Sequence, residues 1–246
     1  MIDPTGGIMA VIQARTGSSR LPGKVLSDLG GQPVLSWVIR AARLSGSCDR
    51  VVVATTERSE DDAVVDLALA ENVDVHRGSV DDVLGRFVGA ARDHRPDAIV
   101  RLTGDCPLLD PALISAVVHT WQSTRVDYVS TVAPRTVPRG LDVELVSFET
   151  LIRLHGLAEG VDRVHVTSYI NANPEQFATV GITVRPVADD LRVTLDTAED
   201  LDMLRHLVAR LGPLAPSWLE VVSLLRSSPE LVAINSAVRQ KAVAEG

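Results

Sequence analysis

Lysine is almost missing from this chain of 246 residues: among its 24 basic side chains, only Lys24 and Lys241 are lysines. Positive charge as a whole is also in deficit, since the formal net charge is -8. This excludes a protein that binds nucleic acid through a broad basic surface, because that mode requires an excess of cations along the phosphates. Any site for phosphate must therefore be local.

Cysteines and long apolar runs are scarce as well. The two cysteines, Cys48 and Cys106, lie far apart and lack the spacing of metal ligands, so we expect neither a disulfide nor a cysteine-bound metal. The sequence shows no signal peptide and no apolar run that could span a bilayer. These features predict a cytoplasmic protein without membrane contact.

Valine, leucine and alanine are abundant instead. Hydrophobic residues make up 46% of the sequence and aromatic residues only 3%, which is typical of parallel strands buried on both faces under helices. Strand-like and helix-like patterns alternate through the first half. Strands are predicted at residues 8–13, 50–55, 73–76 and 98–102, and helices at residues 34–44, 59–71, 80–94 and 111–121.

This alternation predicts a Rossmann-like α/β fold, with a mostly parallel sheet flanked by helices and ligand-binding loops at the carboxyl ends of the strands. We expect a loose extension at residues 1–7, one main domain at residues 8–212 and a helical tail at residues 213–246. Within the main domain the pattern changes at residues 127–190, which predicts a subregion with a different role. Later strands are predicted at residues 127–131, 141–146, 177–185 and 192–195, and later helices at residues 148–157, 163–173 and 201–211.

A loop rich in glycine, hydroxyl groups and cations follows the first predicted strand. This glycine-rich loop, residues 14–24, contains two glycines, two serines and the cations Arg15, Arg20 and Lys24. Glycines let backbone N–H groups turn toward an anion, while the hydroxyls and cations add donors and charge. Its spacing is neither GxxxxGK[ST] nor GxGxxG. The loop therefore predicts a polyphosphate site of another kind, and the alternative is a flexible basic loop.

Lys24 ends this loop in a chain that otherwise uses arginine. A compact ammonium on a flexible stem suits a contact with a β- or γ-phosphate, a role for which the planar fork of arginine is not equivalent. The alternative is a surface lysine without a function.

Two aspartates follow predicted strands. Asp105 comes soon after the strand at residues 98–102, where it could hold Mg²⁺, which takes one or two carboxylates together with phosphate oxygens; the alternative is a turn former. Asp196 precedes a predicted capping box in which Thr197 is already the cap, so its carboxylate is free for a metal or for solvent. Asp110 is expected to cap the helix that follows it.

The chain resembles the cytidylyltransferases of spore coat polysaccharide biosynthesis (SpsF-like), relatives of the enzymes that activate sialic acid and Kdo as CMP-sugars. The resemblance covers nearly the whole chain. Its two most specific segments are IQARTGSSRLPGKVL, at the glycine-rich loop, and VRLTGDCPLLDP, around Asp105. The supporting segments are GGQPVLSWVI, VVVAT, RGSVDDVLGRF, DYVST, GLDVELVSFETL, HVTSYI, RVTLDTAEDL and PELVAINSAVRQK.

This resemblance implies an Mg²⁺-dependent transferase that passes CMP from CTP to a sugar acid or another anionic acceptor and releases pyrophosphate. It implies Asp105 and Asp196 as the Mg²⁺ ligands. The catalytic residues would be Lys24, Arg15 and Asp105. It also implies a homodimer, in which residues 163–170 reach toward the acceptor site of the neighbouring subunit. The implied nucleotide contacts are Ala14, Arg15, Thr16, Gly17, Ser18, Arg20, Lys24, Thr103 and Gly104.

Two positions depart from the family pattern, and both lie in the expected acceptor region. Arg139 stands where an acidic residue is expected before GLDVE, and Val164 stands where a glutamate is expected before HVT. Replacement of an acid by arginine favours an anionic acceptor such as a carboxylate or a phosphonate. The expected acceptor-binding residues are Arg139, Asp142, Glu144, Arg163 and His165.

Other functions on the same fold stay open. A glycosyltransferase normally has a DxD motif beside its donor site, and no such motif stands at a strand end here. A nucleotide-binding protein without catalysis would also fit the loop. Nothing in the spacing distinguishes CTP from another nucleoside triphosphate, so the base preference rests on the resemblance.

Overall fold

The first strand, β1 (Ile8–Gln13), lies inside a seven-stranded sheet in the computed structural model, which describes residues 6–240. Its side chains alternate between the two faces of the sheet. Alternate residues from Ile8 onward pack in one core cluster, and those from Met9 onward pack in the other. Because helices cover both faces, the strand is a continuous apolar run.

The remaining elements continue the alternation in chain order. The further strands are β2 (Asp28–Leu29), β3 (Gln32–Pro33), β4 (Arg50–Thr56), β5 (Asp74–Gly78), β6 (Ala98–Thr103), β7 (Tyr128–Ser130), β8 (Glu144–Ser147) and β9 (Thr179–Gly181). The helices are α1 (Val34–Leu44), α2 (Asp62–Ala70), α3 (Val83–Arg92), α4 (Pro111–Thr124), α5 (Phe148–Leu157), α6 (Val161–Val164), α7 (Ser168–Ala172), α8 (Ala198–Leu211), α9 (Trp218–Ser227) and α10 (Pro229–Ile234).

The strand order of the sheet is β5-β4-β1-β6-β8-β7-β9. Strands β5, β4, β1 and β6 pair in parallel, β8 runs antiparallel to both β6 and β7, and β9 is parallel to β7. Helices α1, α2, α4 and α8 to α10 pack on one face, while α3, α5 and α7 pack on the other. The predicted Rossmann-like, mostly parallel sheet flanked by helices is confirmed.

The predicted elements of the first half are all present, with ends that shift by a few residues, but later predictions are less accurate. The helix predicted at residues 163–173 is divided into α6 and α7. The strand predicted at residues 177–185 is reduced to β9. In addition, no pattern predicted the two-residue strands β2 and β3, which pair with each other.

Residues 192–195, predicted as a strand, form none. Arg192 makes a single bridge, to Arg139. Further along, the Leu195 N–H donates to the Asp105 carbonyl at 2.8 Å, in the loop after β6. The segment before Asp196 is therefore held by the loop at Asp105 and not by a continuous series of strand hydrogen bonds.

Both ends of the chain extend past the described residues. The predicted N-terminal extension falls mainly on residues 1–5 and the end of the predicted tail on residues 241–246, which lie outside them. Within the described range, the tail forms α9 and α10. No helix between residues 6 and 240 combines the length and the apolar character needed to cross a membrane.

Gly140 allows a close approach between two segments near the end of the sheet. Its φ is +103°, and a Cβ built on it would lie 2.5 Å from the Thr194 nitrogen. Beside it, the Val193 N–H donates to the Arg139 carbonyl at 2.7 Å. This contact fixes the segment that leads to Asp196.

We expect Gly140→Ala to lower the free energy of unfolding by about 2–4 kcal/mol, because left-handed strain and overpacking add together. Gly156→Ala is the matched control, since Gly156 lies in α5 and a Cβ there would meet nothing within 4 Å. That variant should be as stable as the parent or up to about 1 kcal/mol more stable. Urea unfolding followed by circular dichroism measures both, and equal stability of the two variants would contradict the prediction.

Candidate active site

The glycine-rich loop leaves the carboxyl end of β1 and is closed by its own backbone. The Thr16 carbonyl accepts hydrogen bonds from the N–H groups of Ser18 at 2.9 Å and Gly23 at 2.8 Å. Gly23 has a φ of +71°, and a short 3₁₀ turn then begins at Lys24. The loop's shape is therefore set by its own hydrogen bonds and by the backbone of Gly23.

Asp61, which the sequence analysis missed, fixes this loop from outside. Its buried carboxylate accepts from the Thr16 N–H at 2.6 Å, the Thr16 hydroxyl at 2.7 Å and the Thr56 hydroxyl. Burial would raise the pKa of Asp61, but these hydrogen bonds outweigh it and hold the pKa below its ordinary value. Thr16 consequently faces Asp61. An acidic residue just before a helix is common for electrostatic reasons alone, so the sequence offered no distinct signal.

Lys24 joins the two predicted metal ligands. Its Nζ donates to Asp105 Oδ2 at 2.6 Å and to Asp196 Oδ1 at 2.7 Å. Burial would lower the pKa of Lys24, but the two carboxylates hold it above its ordinary value. Burial would likewise raise the pKa of Asp196, yet Lys24, Arg192 and Arg20 bring it to about 2. Lys24 and Asp196 are therefore both charged at neutral pH.

Three distant parts of the chain meet at this contact. The loop after β6 is tied to β1, because the Gly104 N–H donates to the Gln13 carbonyl at 2.9 Å. The same loop holds the segment before α8 through the bond from Leu195 to Asp105. The carboxyl ends of two parallel strands thus place Lys24 and Asp105 together, as the fold predicts, and Asp196 is added by a loop contact.

A cleft of about 250 Å³ opens above this contact. Its walls carry the cations Arg15, Arg20, Lys24 and Arg86 against the carboxylates Asp105 and Asp196, an excess of positive charge that suits an anion. Thr16 does not line it. The predicted site residues that do are Ala14, Arg15, Gly17, Ser18, Arg20, Lys24, Thr103, Gly104, Asp105, His165 and Asp196.

Arg86 is a second residue that the sequence analysis missed. It is 2% exposed, lines the cleft and donates from NH1 to the Ser79 carbonyl at 3.2 Å. Its Nε has no hydrogen-bond partner among residues 6–240, and burial together with the nearby Arg15 lowers its pKa to about 10. The sequence did contain a signal for Arg86: its position three residues after Val83 puts a charged side chain on the buried face of α3.

The two carboxylates fit a divalent cation. They already share one cationic atom, Lys24 Nζ, at hydrogen-bond distance. In the part of the chain that the structure describes, no group of three or more His, Cys, Asp or Glu side chains could hold a metal ion. A metal here would therefore take its other ligands from water and phosphate, which is the usual manner of Mg²⁺.

The expected acceptor residues lie in different environments in the fold. His165 lines the cleft. Arg139 is half-buried. Burial and the nearby Arg135 lower its pKa, while Asp142 and Asp196 act in the opposite direction. Asp142 forms a two-fold ion pair with Arg135, in which NH2 lies 2.9 Å from Oδ2.

Glu144 and Arg163, like Arg139 and Asp142, do not line the cleft. Glu144 is buried, and its carboxylate accepts from Arg101, Tyr128 and Thr167. The hydrogen-bonding capacity of its carboxylate is therefore used by groups inside the protein.

Arg163 forms an ion pair at the N-terminus of α3. It pairs with Asp82, the N-cap of α3, at 2.7 and 3.1 Å, and also contacts His155. Both Glu144 and Arg163 therefore form hydrogen bonds within the protein. The sequence could not reveal these bonds, because most of the partners lie far away along the chain.

A protein-family model matches most of the chain. The cytidylyltransferase family model matches residues 9–211. The chain belongs to the cytidylyltransferase family. This cytidylyltransferase-family protein is 32% identical over 232 residues to the spore coat polysaccharide biosynthesis protein SpsF of Bacillus subtilis, covering 91% of this chain and 95% of the relative. The predicted resemblance is confirmed.

Two solved structures support the assignment at different levels. A cytidylyltransferase from Leptospira borgpetersenii has a TM-score of 0.90 at 29% identity, covering 96% of this cytidylyltransferase-family chain and 100% of the other. A CMP:2-keto-3-deoxy-manno-octonic acid synthetase complexed with CTP has a TM-score of 0.64 at 19% identity, covering 83% and 99%. The second likeness shows the shared fold alone.

We expect Glu144→Gln to lower the free energy of unfolding at pH 7 by about 3–5 kcal/mol, because it leaves the buried Arg101 without its counter-charge. Burial would raise the pKa of Glu144, but Arg101 and the hydroxyl donors hold it below its ordinary value of 4.5. The carboxylate therefore contributes stability above that pH and loses it as the pH falls further.

The difference in unfolding free energy between parent and Glu144→Gln should narrow as the pH is lowered from about 5 to about 3. Urea unfolding across this range measures it. Glu149→Gln, at an exposed position of α5, is the control and should stay within about 0.5 kcal/mol of the parent. A constant difference at all pH values would speak against a charged Glu144.

Proposed function

We propose that this protein transfers CMP from CTP to an anionic acceptor and releases pyrophosphate. The observation that carries the proposal is the contact of Lys24 with Asp105 and Asp196 beside the glycine-rich loop. The excess of cations lining the cleft supports a polyphosphate donor. CTP as that donor is supported by the family and by the CTP complex of the synthetase that shares the fold.

The triphosphate would lie along the glycine-rich loop, held by its backbone N–H groups and by Arg15, Arg20 and Lys24. An acceptor oxygen then attacks the α-phosphorus in line, and the bond from the α-phosphorus to the pyrophosphate oxygen breaks. The cations offset the negative charge that builds on the departing pyrophosphate. We assign no general base, since a carboxylate or phosphonate acceptor requires none.

Asp105 and Asp196 are the residues that would hold Mg²⁺, which when bound neutralises phosphate charge. Lys24, on its flexible stem, would then exchange at least one carboxylate for a phosphate oxygen. The buried Arg86 lines the cleft, which supports a contact of its guanidinium with the nucleotide. It adds a fourth cation to the walls of the cleft.

We also propose that the acceptor binds near Arg139 and His165 and that the protein acts as a homodimer. Arg139 makes no side-chain hydrogen bond or ion pair with the described residues around it, unlike Arg135 and Arg163. The homodimer is supported by apolar side chains exposed around the end of α5, which are Ile152 at 46%, Leu157 at 41% and Val161 at 42%.

A glycosyltransferase or a nucleotide-binding protein without catalysis would fit part of this geometry. Incubation with CTP, Mg²⁺ and a panel of sugar acids distinguishes them, because the proposed reaction releases pyrophosphate only when an acceptor is present. Replacement of CTP by the other nucleoside triphosphates in the same assay tests the base preference.

We expect Lys24→Ala and Asp105→Ala each to reduce pyrophosphate release by at least about 100-fold, because each removes charge at the reacting phosphates. A coupled pyrophosphate assay measures the rate. Arg50→Ala is the control, since Arg50 forms an exposed ion pair with Asp74 at the far end of β4. Near-parental rates in both folded variants would rule the assignment out.

We expect Arg139→Ala to raise the KM for the anionic acceptor about 10–100-fold, the effect of losing a charge-assisted hydrogen bond. The KM for CTP should change less than about twofold. Arg139→Lys keeps the charge and should recover part of the loss. Steady-state kinetics with each substrate varied in turn measures both constants, and a similar rise in both would refute an acceptor role for Arg139.

A further inference from the structure

The capping box of α8 reaches further than its sequence suggests. Asp200 accepts from the Thr197 N–H at 3.1 Å, which completes the predicted box. The same carboxylate, fully buried, also accepts from the Asp196 N–H at 2.9 Å. A capping box requires only the first of these bonds, so Asp200 also fixes the backbone of Asp196.

Arg192 links Asp200 to the side chain of Asp196. Its Nε lies 2.9 Å from Asp200 Oδ1 and its NH2 lies 3.0 Å from Asp200 Oδ2. The same NH2 donates to Asp196 Oδ2 at 2.7 Å. One planar guanidinium therefore orients Asp196 so that Oδ1 is presented to Lys24.

The C-terminal segment, residues 235–240, closes this network. Asn235 is buried and donates from Nδ2 to Asp200 Oδ1 at 2.9 Å. Gln240 Oε1 accepts from Arg192 NH1 at 2.7 Å, and the Arg239 carbonyl accepts from Arg20 at 3.1 Å. Both Arg192 and Arg20, which contact Asp196, are thus tied to this segment as well.

We propose that Arg192, Asn235 and Gln240 are positioning residues, which hold the Asp196 carboxylate toward Asp105 for a divalent cation. The inference rests on the proposed function. It makes the C-terminal segment part of the active site, although this segment lies beyond residues 9–211, which the family model matches. Groups that orient a metal ligand in this way typically contribute about 10–100-fold to metal affinity.

We expect Asn235→Ala and Arg192→Ala each to weaken Mn²⁺ binding about tenfold or more, measured on the full chain by electron paramagnetic resonance without substrates. Arg192→Lys keeps the charge but loses the fork, so it should recover only part of the affinity. Ser236→Ala is the matched control, since the exposed Ser236 donates to the Ala233 carbonyl and should leave binding unchanged. Parental affinity in a folded Asn235→Ala protein would overturn the proposal.

Two substitutions at the exposed Gln240 test the same idea without disturbing the core. Gln240→Lys places a cation against Arg192 and should weaken Mn²⁺ binding about threefold, whereas Gln240→Glu should maintain or strengthen it. Melting temperatures of both should stay near that of the parent. Equal Mn²⁺ affinity in the two variants would contradict the positioning role.

Asp196→Asn separates failure of this inference from failure of the proposed function. If the parent binds Mn²⁺ and Asp196→Asn weakens binding strongly, the metal site stands and the variants above decide the positioning role. If Asp196→Asn leaves binding unchanged, the metal site is refuted and this inference with it.

Discussion

The structure of this site depends on one ammonium group, Lys24 Nζ, placed between the carboxylates of Asp105 and Asp196. Two carboxylates brought this close would repel each other. The ammonium offsets that repulsion by donating to both of them. It also joins the end of the glycine-rich loop to two other segments of the chain.

Three further carboxylates that do not face the cleft hold its walls. Asp61 fixes the glycine-rich loop, Asp200 fixes the segment at Asp196, and Glu144 joins β6, β7 and the chain before α7. A buried charge is costly unless it is paired and hydrogen-bonded. Each of these carboxylates meets that condition with several donors, and in return each fixes the positions of those donors.

The sequence predicted the fold, and it predicted the parts of the candidate site that short local patterns mark. Apolar runs and capping residues are read over a few positions, which is why β1, α1 and α5 begin and end where the pattern predicts. The glycine-rich loop and Asp105 were found because both follow strands of the parallel sheet. Residues 192–195 were predicted as a strand and form none, because Arg192 makes one bridge, to Arg139, and Leu195 bonds to the loop at Asp105.

Apolar patterns and motifs were enough to predict the parallel sheet, the family and the set of charged residues at the carboxyl ends of its strands. Which of those charges face the cleft was settled by the folded structure. It assigned Arg86 to the cleft, and it turned Thr16 toward Asp61 and Glu144 into the core. The physical reason is that a charge is directed by its partners, and the partners of these groups lie tens of residues away, where no local pattern records them.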